Sequence, residues 1–241
     1  MIVLSIGTSH PWNISGTGRD LVVASAMNVR VFTAIAAVSA QDGRGVQALH
    51  AVPAAVLRAQ LSTLPWDAAG AVRVGALATL ENVRAVSAAL RAQPSLCAVV
   101  DPVFSASRGG TLTDESAQRA VTEELATLPN VVLTPNLAEA AVMLGVHPIR
   151  RDAIGDAAEA LARRGAQAVL LKGGHLEGDP VDALATASGV ELFTEPRIAG
   201  AMHGTGCTLA IALACELAGG KPLAQAVATA RAFVRAEIAR H

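Results

Sequence analysis

The chain has no tyrosine, two tryptophans and four phenylalanines, so aromatic residues make up only 2% of its 241 positions. That scarcity excludes a platform on which the bases of single-stranded nucleic acid could stack. Lysine occurs twice, at 172 and 221, and the formal net charge is -1. Such a balance excludes the basic footprint of a nucleic-acid-binding domain. Three cysteines, at 97, 207 and 215, are odd in number and fit no zinc spacing, so neither a disulfide framework nor a zinc site is expected. A reducing cytoplasm is the expected compartment. Apolar stretches near twenty residues all carry charges or helix breakers. The nearest to a membrane span, "VVASAMNVRVFTAIAAVSAQ", is interrupted by Asn28 and Arg30, so no span is expected. The opening "MIVLSIGTSHPW" lacks the basic start and full apolar region of a signal peptide.

What is present is small and apolar. Just over half the residues are hydrophobic, with alanine and valine prominent, which suits helices packed closely on a sheet. Short β-branched runs, "MIVLSIG", "VRVFTAIAAVSAQ", "GAVRVGAL", "LCAVVDPV", "NVVLTPN" and "AQAVLLKGG", read as strands. Between the later ones, "ENVRAVSAALRAQ", "DESAQRAVTEELATL", "LAEAAVMLG" and "RRDAIGDAAEALARRG" carry the i, i+3, i+4 spacing of amphipathic helices. Apolar strands alternating with such helices imply βαβ units, an α/β fold with a mostly parallel sheet covered on both faces. "VDALATASGVELFTEPRI" is more polar and reads as a hairpin or edge strands. No linker, repeat or shift in composition divides the chain, so residues 1–241 are expected to form a single domain.

Three polar residues fall where successive strands end: Asp101 after "CAVV", Asn136 after "VVLTP" and Lys172 after "AVLL". Open parallel sheets bind ligands at that end. "HGTGCTLA" then delivers Cys207 to the first turn of an apolar helix. A glycine turn at a helix start points backbone N–H groups at one spot, where an anion such as phosphate is held. The same position is expected to lower the thiol pKa of Cys207, although burial as a small hydrophobe is the other reading. Cys97 and Cys215 read as packing. Asn136 and Glu139 are one helical turn apart, which fits an N-cap with a first-turn acid and equally a Mg²⁺ site beside phosphates. Lys172, with two glycines behind it, can neutralise a phosphate chain. His175 and His203 read as local hydrogen-bonding residues.

Assembled in this order, the residues resemble the hydroxymethylpyrimidine/phosphomethylpyrimidine kinases of thiamine biosynthesis, in the ribokinase superfamily. The matching stretches are "TAIAAVSAQDGRGV", "DPVFSASRGGTLTDESA", "LTPNLAEAAVMLG", "LLKGGHLEGDPVDAL" and "PRIAGAMHGTGCTLAIALA". "HGTGCTL" is the most specific, because most of the superfamily carries aspartate at the place of Cys207. The resemblance implies a three-layer α/β/α sandwich, ATP and Mg²⁺, a small pyrimidine substrate and a homodimer. It implies that Cys207 is the catalytic base and that Gly204, Thr205 and Gly206 form the anion hole. Lys172, Asn136 and Asp101 would meet the ATP phosphates, with Glu139 and Asp101 near the metal. Gln41 would read the pyrimidine edge, and Asp20 would stand beside the substrate. The N-terminal "GTSHPWNISGTGRDL" departs from the family's pattern, placing His10 where an aspartate is usual, adding Trp12 and running one residue longer. Ala76 stands where methionine is frequent. Both departures fall on the substrate side, which keeps a pyridoxal or pyridoxine kinase open as an alternative, together with a non-catalytic pyrimidine-binding relative.

Overall fold

The computed structural model describes residues 1–42, 44–106, 109–174, 176–200 and 202–240. Its centre is a nine-stranded sheet. The strands are β1 (Ile2–Ser9), β2 (Arg30–Asp42), β3 (Gly45–Ala51), β4 (Ala71–Val74), β5 (Ala98–Val100), β6 (Val131–Leu133), β7 (Ala168–Leu171), β8 (Val181–Thr186) and β9 (Gly189–Thr194). They lie side by side in the order β3-β2-β1-β4-β5-β6-β7-β8-β9. The run from β2 through β7 is parallel, while β3 at one edge and β8 and β9 at the other pair antiparallel. The polar stretch near residue 181 is thus the expected hairpin.

Side chains alternate across a strand, and this divides the core in two. Leu4, Val74, Val100, Leu133 and Leu171 face one layer. It holds α2 (Ala54–Ser62), α3 (Leu80–Arg91), α4 (Glu115–Ala120, running on into a π turn to Leu125), α5 (Leu137–Leu144) and α6 (Ile154–Ala162). Val3, Val99, Val132 and Leu170 face the other, which is built from α1 (Gly16–Ala26), α7 (Thr205–Ala218) and α8 (Leu223–Ile238). The expected three-layer sandwich is present. Helix α7 is the axis of the second layer, and Thr208 to Cys215 are all buried. A helix that is apolar all round needs cover all round; α1, α8 and strands β1, β4 and β5 supply it. Cys215 belongs to this packing, and burial pushes its thiol up to about 12. Cys97 is partly buried against the same layer, its thiol pushed to about 11 by burial. Both cysteines therefore sit as expected. Among the described residues, no helix is long and apolar enough to cross a membrane.

Candidate active site

A cavity of about 740 Å³ opens at the carboxyl ends of the parallel strands, with Asp101, Asn136, Lys172 and the start of α7 in its wall. The strand-end residues reach it because their strands are in register. Asn136 bridges Lys172 across the β6–β7 boundary, and the Lys172 amide donates to the Pro135 carbonyl at 2.8 Å.

At the start of α7, position 204 has room only for glycine. Gly204, its N-cap, has φ 74°, and a Cβ there would stand 2.0 Å from the Ile14 carbonyl oxygen. A Cβ on Gly206 would come within 3.1 Å of Lys172 Nζ and 3.9 Å of Asp101 Oδ2. The first turn is thus pressed against a lysine and an aspartate. No side chain caps this helix, and the leading amides of a helix have no partner within it. The result is a cluster of backbone donors at the cavity floor, with a cation beside them.

Below that floor runs a chain of buried charges. Ser5 Oγ donates to Asp20 Oδ2 at 2.6 Å. Asp20 Oδ2 is 3.3 Å from Arg73 Nη1, and Arg73 Nη2 is 3.3 Å from Asp101 Oδ2. Lys172 Nζ donates to Asp101 Oδ1 at 2.6 Å. Both oxygens of Asp101 therefore face cations. Asp20 is fully buried and is not part of the cavity wall. The acid expected beside the substrate is buried and paired with Arg73. Burial pushes the Asp20 carboxyl up to about 6, with Arg73 and Ser5 opposing and Asp101 adding to the rise.

Asn136 and Glu139 form a capping box on α5: the Glu139 amide donates to Asn136 Oδ1 at 2.9 Å, and the Asn136 amide donates to Glu139 Oε2 at 2.7 Å. The capping reading therefore holds, and Glu139 also lines the cavity. Burial pushes its carboxyl up to about 7; Lys172 opposes the rise and Asp101 adds to it. Among the described residues Oε1 accepts no hydrogen bond, which leaves one carboxylate oxygen for an ion. No group of three or more His, Cys, Asp or Glu side chains is placed to hold a metal among those residues. The donors present fit Mg²⁺, which is commonly held by one or two carboxylates together with substrate phosphates and water.

Cys207 is partly exposed at the floor. Its thiol is pushed up, not down as its helix position led one to expect. Burial is the largest cause; Arg73 and the Gly16 amide favour the thiolate, while the Asp101 and Asp20 carboxylates oppose it. Two nearby carboxylates and a partly dry pocket outweigh the helix start.

The cavity is also lined by Gln41 and Asp42 from β2, and by Thr8, His10, Gly16 and Ala76. His10 Nε2 accepts from the Ser15 amide at 3.2 Å, and burial lowers its pKa against the pull of the Ser15 backbone. His203 lines the cavity too, while His175 lies outside the described residues. Sequence reading missed Arg73. Its only signal was one charge inside the apolar strand "AVRV", and its two acid partners are remote in the chain.

This sheet, with a glycine-rich helix start and a lysine at its carboxyl edge, is that of a ribokinase-like phosphotransferase. The chain belongs to the phosphomethylpyrimidine kinase family, whose sequence profile, described as Phosphomethylpyrimidine kinase, matches residues 14–241. The match begins after His10 and Trp12. A hydroxymethylpyrimidine/phosphomethylpyrimidine kinase of Rhizobium meliloti is 40% identical over 246 residues, covering 98% of this chain and 90% of the relative. The thiamine biosynthesis bifunctional protein ThiED of Geobacter sulfurreducens is 37% identical over 98% of this chain, which spans only 49% of that longer protein. Among solved structures, the pyridoxal kinase of Staphylococcus aureus in complex with AMP-PCP and pyridoxal superposes with a TM-score of 0.88 at 28% identity, over 99% of this chain and 87% of that one.

Proposed function

We propose that residues 1–241 act as one kinase domain that transfers a phosphoryl group from ATP to hydroxymethylpyrimidine, to its monophosphate, or to both, in thiamine biosynthesis. The observation that carries this reading is the approach of the Gly204–Cys207 turn to Lys172 and Asp101, in a cavity that Gln41 also lines. The substrate and pathway come from the relatives. A cytoplasmic homodimer is part of the same proposal.

The turn amides of Thr205, Gly206 and Cys207 hold the oxygens of the moving phosphoryl group, and Lys172 offsets charge on the phosphate chain. Asp101 keeps the lysine in place. Glu139 is the residue that would hold Mg²⁺, with Asn136 fixing its carboxylate; the ion would neutralise phosphate oxygens there. Gln41 presents one donor and one acceptor to a heteroaromatic edge. When the acceptor is an alcohol, the Cys207 thiol first gives its proton to solvent; the O–H bond of the alcohol then breaks and the Cys207 thiolate takes that proton, returning to the thiol. The acceptor oxygen bonds to the γ-phosphorus as the bond to the β-phosphate oxygen breaks, releasing ADP. Phosphoryl transfer passes through a loose transition state, governed more by position than by base strength. The raised pKa of Cys207 makes its thiolate scarcer but more basic.

A second reading, pyridoxal kinase activity, rests on His10 and Ala76 in the substrate wall and on the likeness to the S. aureus enzyme. The deciding experiment offers purified protein ATP, Mg²⁺ and a set of alcohols, and detects phosphorylated product by mass spectrometry. The pyrimidine alcohol or its monophosphate should give the highest kcat/KM. A clear preference for pyridoxal would establish the second reading, and no transfer to any of them would overturn both.

A further inference from the structure

Arg73 carries the strongest unassigned signal in the molecule. Among the described residues it is the largest fully buried side chain, at 1% exposure, yet it reaches the cavity wall. Its guanidinium joins three groups on three elements. Asp20 on α1 and Asp101 after β5 are its ion-pair partners, each at 3.3 Å. The Cys207 thiol on α7 lines the same cavity and bears on the guanidinium's charge, although no hydrogen bond joins the two among the described residues. The backbone has been kept clear for it, since a Cβ on Gly75 would fall 2.3 Å from Nη1 and 3.0 Å from Cζ. Arg73 Nε and Nη1 make no hydrogen bond among the described residues, so the guanidinium is held by charge on two sides and by steric fit.

We propose that Arg73 is a positioning residue for phosphoryl transfer: anchored by Asp20, its guanidinium sets the places of Asp101, and through it Lys172, and of the Cys207 side chain. Buried ion pairs are weak stabilisers, because desolvating the charges offsets their attraction and apolar residues of similar volume often serve stability as well. This chain of charges does not end in the core; it ends at the lysine and cysteine of the cavity floor. A planar fork can face two carboxylates at once, which an ammonium cannot do with the same geometry.

The inference rests on the kinase reading, and its test separates the two. Arg73→Met, Arg73→Lys, Asp20→Asn and the double variant Asp20→Asn/Arg73→Met are compared for Tm, for kcat and KM, and for the rate at which Cys207 reacts with a maleimide at one fixed pH. Misplacing a catalytic group by about 1 Å costs on the order of 10² in rate, so Arg73→Met should lose roughly that in kcat. Its KM for nucleotide should stay within about threefold of wild type, because the turn amides and Lys172 themselves are kept. Arg73→Lys should recover part of kcat. Removing both charges in the double variant should restore Tm toward wild type while kcat stays low. Should kcat return together with Tm, Arg73 is merely structural and the proposal is wrong. If Arg73→Met does not fold, the double variant and Asp20→Asn decide on the same terms. If wild type phosphorylates none of the acceptors, the kinase reading fails on its own. The maleimide reaction then still decides: slower labelling in the folded double variant supports the contact with Cys207, and an unchanged rate removes it.

Discussion

Cys207 meets two opposed demands. Its sulfur sits among the Gly16 amide and Arg73, which favour thiolate, and two carboxylates and burial, which favour thiol and prevail. A proton acceptor is needed only when the phosphoryl acceptor is an alcohol. A phosphate monoester, with its second pKa near 6, is already largely deprotonated at neutral pH. Cys207→Ser should therefore cut turnover of the hydroxymethyl substrate by about 10²-fold or more, within the range that general-base catalysis supplies. Turnover of the monophosphate should fall much less, and nucleotide affinity should hold. Steady-state kinetics with each acceptor check this, and equal losses on both would contradict it. Asp20 gives a stability signal. Its carboxyl holds its proton up to about 6 in the folded protein, while the unfolded chain releases it near 4. Between those pH values the folded state binds more protons, so stability falls as pH rises, by up to about 1.4 kcal/mol per pH unit. Asp20→Asn should be less stable at neutral pH, yet should flatten that fall in urea titrations run from pH 4 to 6. An unchanged slope would show that Asp20 is ionised throughout.

Helix α7 connects its packing to its chemistry through a single turn. Thr208 to Cys215 anchor the helix in the core, and Gly204 brings its first amides against Ile14 and Lys172. Gly204→Ala would place a methyl on the Ile14 carbonyl and impose φ 74° on a residue that avoids it. It should cost about 1–3 kcal/mol of stability and nearly all turnover, whereas Gly220→Ala, also at positive φ but with open space around it, should leave turnover intact. Thermal melts and activity on the two variants check the contrast. The same elements show what could be read in advance. Asp101, Asn136 and Lys172 were legible because a polar residue closing an apolar run marks a strand end, and parallel strand ends form sites. Helix α1 was not, because its glycine-rich start "SGTGRD" resembles a loop. Strand β3 was missed because it is a half-exposed edge strand of seven residues with no apolar face of its own. The alanine-rich α8 lacks the bulky stripe that marks an amphipathic helix.

Across the whole molecule the sheet divides labour: the β1–β2 side carries Gln41 and His10, and the β5–β7 side carries Asp101, Glu139 and Lys172. Local pattern revealed the second group. The buried chain from Asp20 to Lys172 was hidden, because it joins residues on α1, β4, β5 and β7 that meet only in the folded sheet. The sign of the Cys207 shift was hidden for the same reason, since it depends on carboxylates brought from elsewhere. If the division is right, the two ligands respond separately. Gln41→Ala should raise KM for the acceptor by about tenfold, the cost of a lost hydrogen bond or two, and leave KM for ATP within about twofold. A rise in KM for ATP instead would place the nucleotide on the wrong side.

The central claim is that the start of α7 receives the phosphoryl group beside Lys172. A crystal structure with a non-hydrolysable ATP analogue, Mg²⁺ and hydroxymethylpyrimidine tests it most directly. The account predicts terminal phosphate oxygens within about 3 Å of the Gly206 and Cys207 amides, the acceptor hydroxyl next to Cys207 sulfur and the pyrimidine edge on Gln41. A terminal phosphate bound away from that turn, with the turn amides facing solvent, would contradict it.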